Sequence, residues 1–289
     1  MCATGMRSHR GNREGFGVIA FLSDEQLLRP ERHIFLSPHY DDIPLSCGGV
    51  ATRVSQSGTA PEIALIFGDH PDSDLPLTAF ARQLHEQWGH TAEQVINSRR
   101  AEESTASALI GAVDVYLPFH DAIYRGSRYT SDAELFGETS AEESDLPERI
   151  VSELGISDAE LGAVRLYAPL AIGNHIDHQH AFTAGLLLAS GGCDVWFYED
   201  LPYALIPGRA EERMRRIESP LASAGLVDVR QVWQTKIDAI MAYPSQLAVI
   251  FSEYVGSGST REAIDAAMGA YSEEGGHGIK AERFWRVTE

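Results

Sequence analysis

The sequence has few cysteines and no long apolar run. Cys2, Cys47 and Cys193 are scattered and lack the paired spacing of a disulfide framework, which suits the reducing environment of the cytosol. No stretch approaches the roughly 18 apolar residues that a membrane span needs. The apolar run at 18–22 is also too short for the core of a signal peptide. We therefore expect a cytoplasmic protein without a membrane span.

Basic residues are in deficit, with 23 Lys and Arg against 42 Asp and Glu and a formal net charge of −19. This field repels phosphate backbones and anionic membranes, and so disfavours nucleic acid and lipid surfaces as partners. It favours a metal ion or a neutral or cationic substrate, although an acidic surface also serves solubility alone. A Gly-x-Ser-x-Gly motif is missing as well, so nothing indicates a serine hydrolase. Cys47 has no matching histidine, and we expect it to pack in the core.

Short apolar runs alternate with longer amphipathic segments along the chain. The runs predict strands at 33–37, 62–67, 113–117, 164–168 and 194–198. The longer segments predict helices at 45–54, 77–110 (broken near Gly89), 176–189 and 234–242. Strands separated by such helices indicate βαβ units. We therefore expect a three-layer, Rossmann-like α/β fold with a mainly parallel sheet and helices on both faces.

The same pattern predicts a single domain at 16–289, preceded by a flexible polar lead-in at 1–15. Residues 124–145 and 256–278 are polar and rich in Gly, Ser and Glu, which predicts two surface excursions. Past Glu211 we expect a mostly helical chain.

A first cluster of polar residues, Pro38-His39-Tyr40-Asp41-Asp42, follows the first predicted strand directly. Parallel sheets place their chemistry in such loops, beyond the carboxyl ends of the strands. His39 and Asp42 are residue types that bind zinc, and a tight turn can aim both at one point. Asp41 is then placed to take a proton from zinc-bound water. Alone, the motif is also typical of a polar turn in which Asp42 caps the next helix.

A second cluster, Asn174-His175-Ile176-Asp177-His178, follows the fourth predicted strand and begins a helix. His175 and His178 share one face of that helix, so one can bind a metal while the other donates a hydrogen bond to a developing oxyanion. His180 should point elsewhere. Histidines of a surface helix are often only solvated, but the two clusters together supply two histidines and a carboxylate for a three-ligand site.

Both clusters resemble the hallmarks of the LmbE-like, or PIG-L, family of zinc N-deacetylases. The family's Pro/Ala-His-Pro-Asp-Asp-Glu motif, a few residues before Gly-Gly, is similar to residues 38–43 followed by 48–49. Its His-Pro-Asp-His motif is similar to residues 175–178. Weaker similarity is found at 99–102, 117–121, 198–203, 243–246 and 282–285. The resemblance therefore covers about residues 32–286.

The resemblance implies a role for each matched residue. It implies that His39, Asp42 and His178 bind one zinc ion per chain, or another divalent ion in its place. Asp41 matches the general base, and His175 matches the residue that stabilises the tetrahedral intermediate. Asp177 is left outside the set of ligands.

Two further matches and two departures concern the substrate. Arg99 and Asp121 match positions that hold sugar hydroxyls, although a helix-surface ion pair and a loop cap explain them equally well. Tyr40 stands where proline is usual, and we expect its bulk to reshape the substrate entrance. Ile43 replaces the usual glutamate and removes a negative charge near the metal site, which can alter metal affinity or the pKa of the base.

The resemblance thus implies a zinc-dependent hydrolase that removes an N-acetyl or other N-acyl group from an amino sugar or a sugar-containing metabolite. One alternative is an amidase that cleaves a larger amide, such as a thiol-sugar conjugate. Another is a non-catalytic homologue that binds a sugar or a metal. A homo-oligomer is compatible with the sequence, and no nucleic acid partner is expected.

Overall fold

The computed structural model describes residues 19–71, 76–88, 92–252 and 259–288. The predicted lead-in at 1–15 and the predicted helix break near Gly89 lie outside these residues. The strands are β1 (Arg32–Ser37), β2 (Glu62–Leu65), β3 (Val113–Tyr116), β4 (Val164–Pro169), β5 (Asp194–Tyr198), β6 (Leu221–Asp228) and β7 (Ala281–Val287). The helices are α1 (Asp24–Leu28), α2 (Asp42–Gln56), α3 (Ala79–Trp88), α4 (Ala92–Ile110), α5 (Asp132–Leu135), α6 (Leu146–Glu153), α7 (Ile176–Ser190), α8 (Arg209–Arg216), α9 (Trp233–Met241), α10 (Pro244–Ser252) and α11 (Arg261–Gly275). Within these ranges, none of the helices combines the length and the apolar character needed to cross a membrane.

The described strands form one seven-stranded sheet in the order β3-β2-β1-β4-β5-β7-β6. Strands β1 to β5 are parallel, whereas β7 runs antiparallel to both β5 and β6. The connections through α2 and α4 proceed from β1 towards β3, and the connection through α7 proceeds the opposite way, from β4 to β5. Because such crossovers are right-handed, α7 covers the face opposite to α2 and α4. The predicted α/β sheet with helices is confirmed, and its edge at β7 and β6 is antiparallel.

The prediction of a mostly helical chain past Glu211 agrees with α8 to α11 but missed β6 and β7, which also lie there. Neither strand is a continuous apolar run. Antiparallel strands need only one apolar face, and β7 mixes the charged residues Glu282, Arg283 and Arg286 with apolar ones, while β6 carries a bulge between Ser223 and Gly225. The excursion predicted at 256–278 was also wrong where the structure describes it, since α11 spans most of it with Ile264 and Met268 buried.

The excursion predicted at 124–145 is only partly on the surface. Tyr124, Tyr129 and Leu135 are buried in a second apolar cluster that also contains Ile176 of α7. The polar side chains of this segment pair with each other, and the carboxylate of Glu143 is itself buried. The polar composition of this segment therefore did not predict its exposure, because its charged side chains form ion pairs inside the protein.

Helix α2, which carries the first motif, is anchored from the far edge of the sheet. Its backbone breaks at the buried Cys47, which has φ −136° and ψ 25°. The carboxylate of Glu282 in β7 accepts hydrogen bonds from the next free amides, those of Gly49 (2.9 Å) and Val50 (2.7 Å). Lys236 in turn donates to Glu282 at 2.6 Å. Glu282 thus acts as the cap of the second half of α2 and fixes the helix that begins at the candidate metal ligand.

Candidate active site

The two sequence motifs meet at the centre of the sheet. Strands β1 and β4 are parallel neighbours, and their following loops carry His39 and His175. From β1 the chain proceeds towards β2, and from β4 it proceeds towards β5 on the other side. This reversal of direction is the position at which α/β sheets open a crevice for ligands. Both motifs therefore lie beyond the carboxyl ends of parallel strands, as the sequence predicted.

Asp42 lies close to both His39 and His178. The Oδ2 atom of Asp42 lies 3.7 Å from Nδ1 of His39 and 3.5 Å from Nε2 of His178. Ligands of a tetrahedral zinc ion with bonds of about 2.0–2.1 Å are roughly 3.3 Å apart. Both separations from Asp42 are close to this value.

Each of the two histidines is held by a buried carboxylate on its other ring nitrogen. Nε2 of His39 lies 2.9 Å from Oδ2 of Asp177, and Nδ1 of His178 lies 2.7 Å from Oδ1 of Asp200. Asp200 is fixed in turn by the backbone N–H of Ile172 at 2.9 Å. A carboxylate on one nitrogen makes that nitrogen the donor, so the lone pair of the other nitrogen faces Asp42.

Other combinations of ligands are also close together among the described residues. The ligand atoms of His39, His175 and His178 lie within 4.8 Å of one another, and so do those of His39, Asp121 and Asp177. The second group shares the contact between His39 and Asp177, whose carboxylate is already occupied by three donors. The first group makes His175 a rival to Asp42 as the third ligand.

Asp41 lies buried beside the guanidinium of Arg99. Its backbone adopts the left-handed conformation (φ 85°), and its buried Oδ2 atom has no hydrogen-bond partner among the described residues. The guanidinium of Arg99 is 3.7 Å from that oxygen. Burial raises the pKa of Asp41 to about 8, although the charge of Arg99 opposes the rise. A carboxylate with a raised pKa accepts a proton efficiently near neutral pH.

His175 is arranged as a neutral hydrogen-bond donor. Its Nδ1 atom accepts the backbone N–H of Asp177 at 3.2 Å, at the start of α7. Burial and the neighbouring His39 hold the pKa of His175 well below its usual range. The proton of the neutral ring is therefore on Nε2, which is free to donate to an oxyanion.

The two predicted substrate contacts lie beside these groups. Arg99 is buried against Asp41 and donates to the backbone oxygen of Tyr40 at 3.4 Å, so it is not part of a surface ion pair. Asp121 caps the turn at Ile123 and also lies 3.9 Å from Nε2 of His39. Tyr40 is only 2% exposed, so its bulk lies inside the protein.

Several residues near the site were missed from the sequence. Arg125 donates to Asp177 at 2.6 Å, although its segment was predicted to be a surface excursion. Glu103 accepts the backbone N–H of Asp41 at 3.3 Å. Asp200 lies just after the carboxyl end of β5, where parallel sheets place their chemistry, so the sequence could have indicated it. His180, as expected, points away and lies 3.4 Å from Glu143.

Comparisons with known proteins agree on the kind of enzyme. No family model matches the sequence. The chain is 32% identical over 229 residues to the 2'-N-acetylparomamine deacetylase of Streptomyces fradiae, which covers 76% of this chain and 75% of that protein. It is 28% identical over 237 residues to the 2'-N-acetylparomamine deacetylase of Niallia circulans, covering 76% and 82%. A solved deacetylase of the teicoplanin biosynthesis pathway has the same fold, with a TM-score of 0.72, 21% identity and coverage of 89% and 99%.

Proposed function

This chain belongs to the deacetylase family that includes the 2'-N-acetylparomamine deacetylases, and we propose that it is a zinc-dependent N-deacetylase of an amino sugar or a sugar-containing metabolite. The observation that carries the proposal is the grouping of two carboxylate-held histidines around Asp42, next to the Oδ2 atom of Asp41, which accepts no hydrogen bond from the described residues. This grouping combines a set of candidate ligand atoms with a candidate base.

His39, Asp42 and His178 are the residues that would hold the zinc ion. When bound, zinc supplies Lewis-acid chemistry, polarising the amide carbonyl and lowering the pKa of a water molecule. Burial alone would lower the pKa of His178, but the carboxylates of Asp42 and Asp200 outweigh it and raise the pKa to about 9. Binding of the ion must therefore release a proton from His178 near neutral pH.

Asp41 and His175 perform the proton transfers and the charge stabilisation. Asp41 takes a proton as water attacks the carbonyl carbon of the N-acetyl group. The Nε2–H of His175 donates to the carbonyl oxygen as negative charge develops there. Asp41 then returns its proton to the amide nitrogen as the C–N bond breaks, which yields acetate and a free amine. No covalent enzyme intermediate is required.

The surroundings support a sugar-containing substrate. The carboxylate of Asp121 and the guanidinium of Arg99 flank the reacting groups and can bind hydroxyls. A cleft of about 600 Å³ opens beside the second motif and is lined by Phe136, Asn174 and Tyr203, among others. The ring of Phe136 contacts His175 edge-on, with 5.3 Å between the ring centres. A substrate with a group beyond the acetylated sugar can therefore extend into this cleft.

Two variants of the first motif test the proposal. Asp41→Asn keeps the size and the left-handed backbone, and it should keep zinc while kcat falls by about 10²–10⁴-fold. Asp42→Ala should lose stoichiometric zinc in elemental analysis, whereas His175→Ala should retain it. Full activity of Asp41→Asn would remove this residue from the role of base. If Asp42→Ala instead retained zinc and His175→Ala lost it, His175 would be the third ligand.

The alternatives predict different products. We expect acetate to be released from N-acetyl amino sugars, and a chelator to stop the release. Release of a larger acid from acylated sugar conjugates, with little acetate, would favour the amidase. Binding of sugars without release of any acid would favour a non-catalytic homologue.

A further inference from the structure

Arg125 connects the segment after β3 to the candidate metal site. Its Nη1 atom donates to Oδ1 of Asp177 at 2.6 Å and to the backbone oxygen of His120 at 2.9 Å. Its Nε atom donates to Oε1 of Glu143 at 2.8 Å. The guanidinium also lies 5.1 Å from the centre of the Phe67 ring. These contacts together fix the position of the Arg125 guanidinium.

Asp177 links Arg125 to His39. Its Oδ2 atom accepts Nε2–H of His39 at 2.9 Å and the backbone N–H of Ala122 at 3.1 Å, while Oδ1 accepts Arg125. The carboxylate is completely buried.

We propose that Arg125 is a positioning residue of the metal site, which acts through Asp177 to keep Nδ1 of His39 directed at the ion. The inference rests on the proposed function in one respect, since it requires that a metal binds at His39. Among the described residues, Arg125 has no hydrogen bond or ion pair with His39, Asp42 or His178, so its effect passes through the carboxylate of Asp177. Outer hydrogen bonds of this kind orient ligands and tune the affinity of metal sites.

The two sides of the Arg125 guanidinium make different contacts. Glu143 binds the Nε side of Arg125 and also accepts the O–H of Tyr129 at 2.7 Å, so this side holds the segment at 124–145 together. The Nη1 side faces Asp177. A lysine can keep the charge at this position, but it lacks the planar fork that serves both carboxylates.

Zinc affinity measured by competition with a chromogenic chelator tests the proposal. Arg125→Met should weaken zinc binding by about 10–100-fold, the usual effect of removing such an outer partner. Arg128→Met is the matched control, because Arg128 supports the same segment, pairing with Glu142 at 2.7 Å and donating to the backbone oxygen of Arg125 at 2.9 Å, without a hydrogen bond or ion pair to Asp177 among the described residues. It should bind zinc with the affinity of the wild type.

A double variant distinguishes positioning from a general loosening of the fold. In the Asp177→Asn background, Arg125→Met should weaken zinc binding little further, because both changes interrupt one chain of contacts. Losses that simply multiply would overturn the proposal. If Arg125→Met does not fold, Arg125→Lys takes its place, and an affinity within about twofold of the wild type overturns the proposal. Failure of the wild type to bind zinc would instead overturn the proposed function.

Discussion

Glu103 offers a test in which removing a buried charge should stabilise the protein. The residue is fully buried in α4, and its Oε2 atom accepts the O–H of Tyr243 (2.8 Å) and the backbone N–H of Asp41 (3.3 Å). Its Oε1 atom has no hydrogen-bond partner in the part of the chain that the structure describes. Burial raises the pKa of Glu103 from 4.5 to about 8, although the bond from Tyr243 opposes the rise.

The sign of the pH dependence follows from this direction. Between about pH 4.5 and 8 the folded state holds a proton on Glu103 that the unfolded state has released. The free energy of unfolding therefore falls as the pH rises through this window. The full difference corresponds to at most about 5 kcal/mol at 1.36 kcal/mol per pH unit. Glu103→Gln is neutral throughout and keeps an acceptor for Tyr243 and Asp41, so it should lack this fall.

Urea unfolding of metal-free protein, followed by circular dichroism, measures the effect. At about pH 5 the Glu103→Gln variant should resemble the wild type, and at about pH 8.5 it should be more stable by several kcal/mol. Glu102→Gln is the control, since Glu102 lies in the same turn and binds Ser245. It should keep the wild-type slope because Glu103 is still present. Parallel pH profiles for Glu103→Gln and the wild type would refute the reasoning.

Two other buried carboxylates give predictions of opposite kinds. Lys236→Met should cost about 3–5 kcal/mol of unfolding free energy, because Glu282 then remains buried without its cation; a loss below about 1 kcal/mol in denaturant unfolding would contradict this. The pKa of Glu143 is lowered to about 2, since bonds from His180 and Arg125 outweigh burial. Its stabilising contribution, of order 3 kcal/mol, is thus complete above about pH 4.5 and is lost as the pH falls through about 2. Glu143→Gln should be less stable at neutral pH, and acid titration should show the gap closing; a constant gap would argue against it.

The strands that could be predicted are the parallel ones. Strands β1, β2, β4 and β5 contain short apolar runs, as parallel strands covered on both faces require, and β3 alternates as Val113-Asp114-Val115-Tyr116 at the outer edge of the sheet. Strands β6 and β7 have neither a continuous apolar run nor a regular alternation, so these criteria failed there. The segment at 124–145 misled for another reason, because Arg125 and Glu143 satisfy each other's charges inside the protein.

The residues of the candidate site also differ in how far the sequence could predict them. His39, Asp41 and Asp42 are neighbours in sequence, so one loop reveals all three. Arg125 meets Asp177 across 52 residues and Glu103 meets Asp41 across 62, and nothing local marks either pair. Such contacts depend on how α4 and the segment after β3 pack onto the sheet, which the motifs do not determine.

The two departures from the family's first motif act inside the protein rather than at its entrance. The O–H of Tyr40 donates to the backbone oxygen of Gly68 at 2.7 Å and thereby ties the loop after β1 to the loop after β2. Its ring lies under the guanidinium of Arg99 at 5.1 Å, and that guanidinium faces Asp41. Proline can make none of these contacts, and Ile43 is fully buried in the core. The exchange at position 40 therefore bears on how Arg99 is held against the base, and substrate choice must be set by other residues around the cleft.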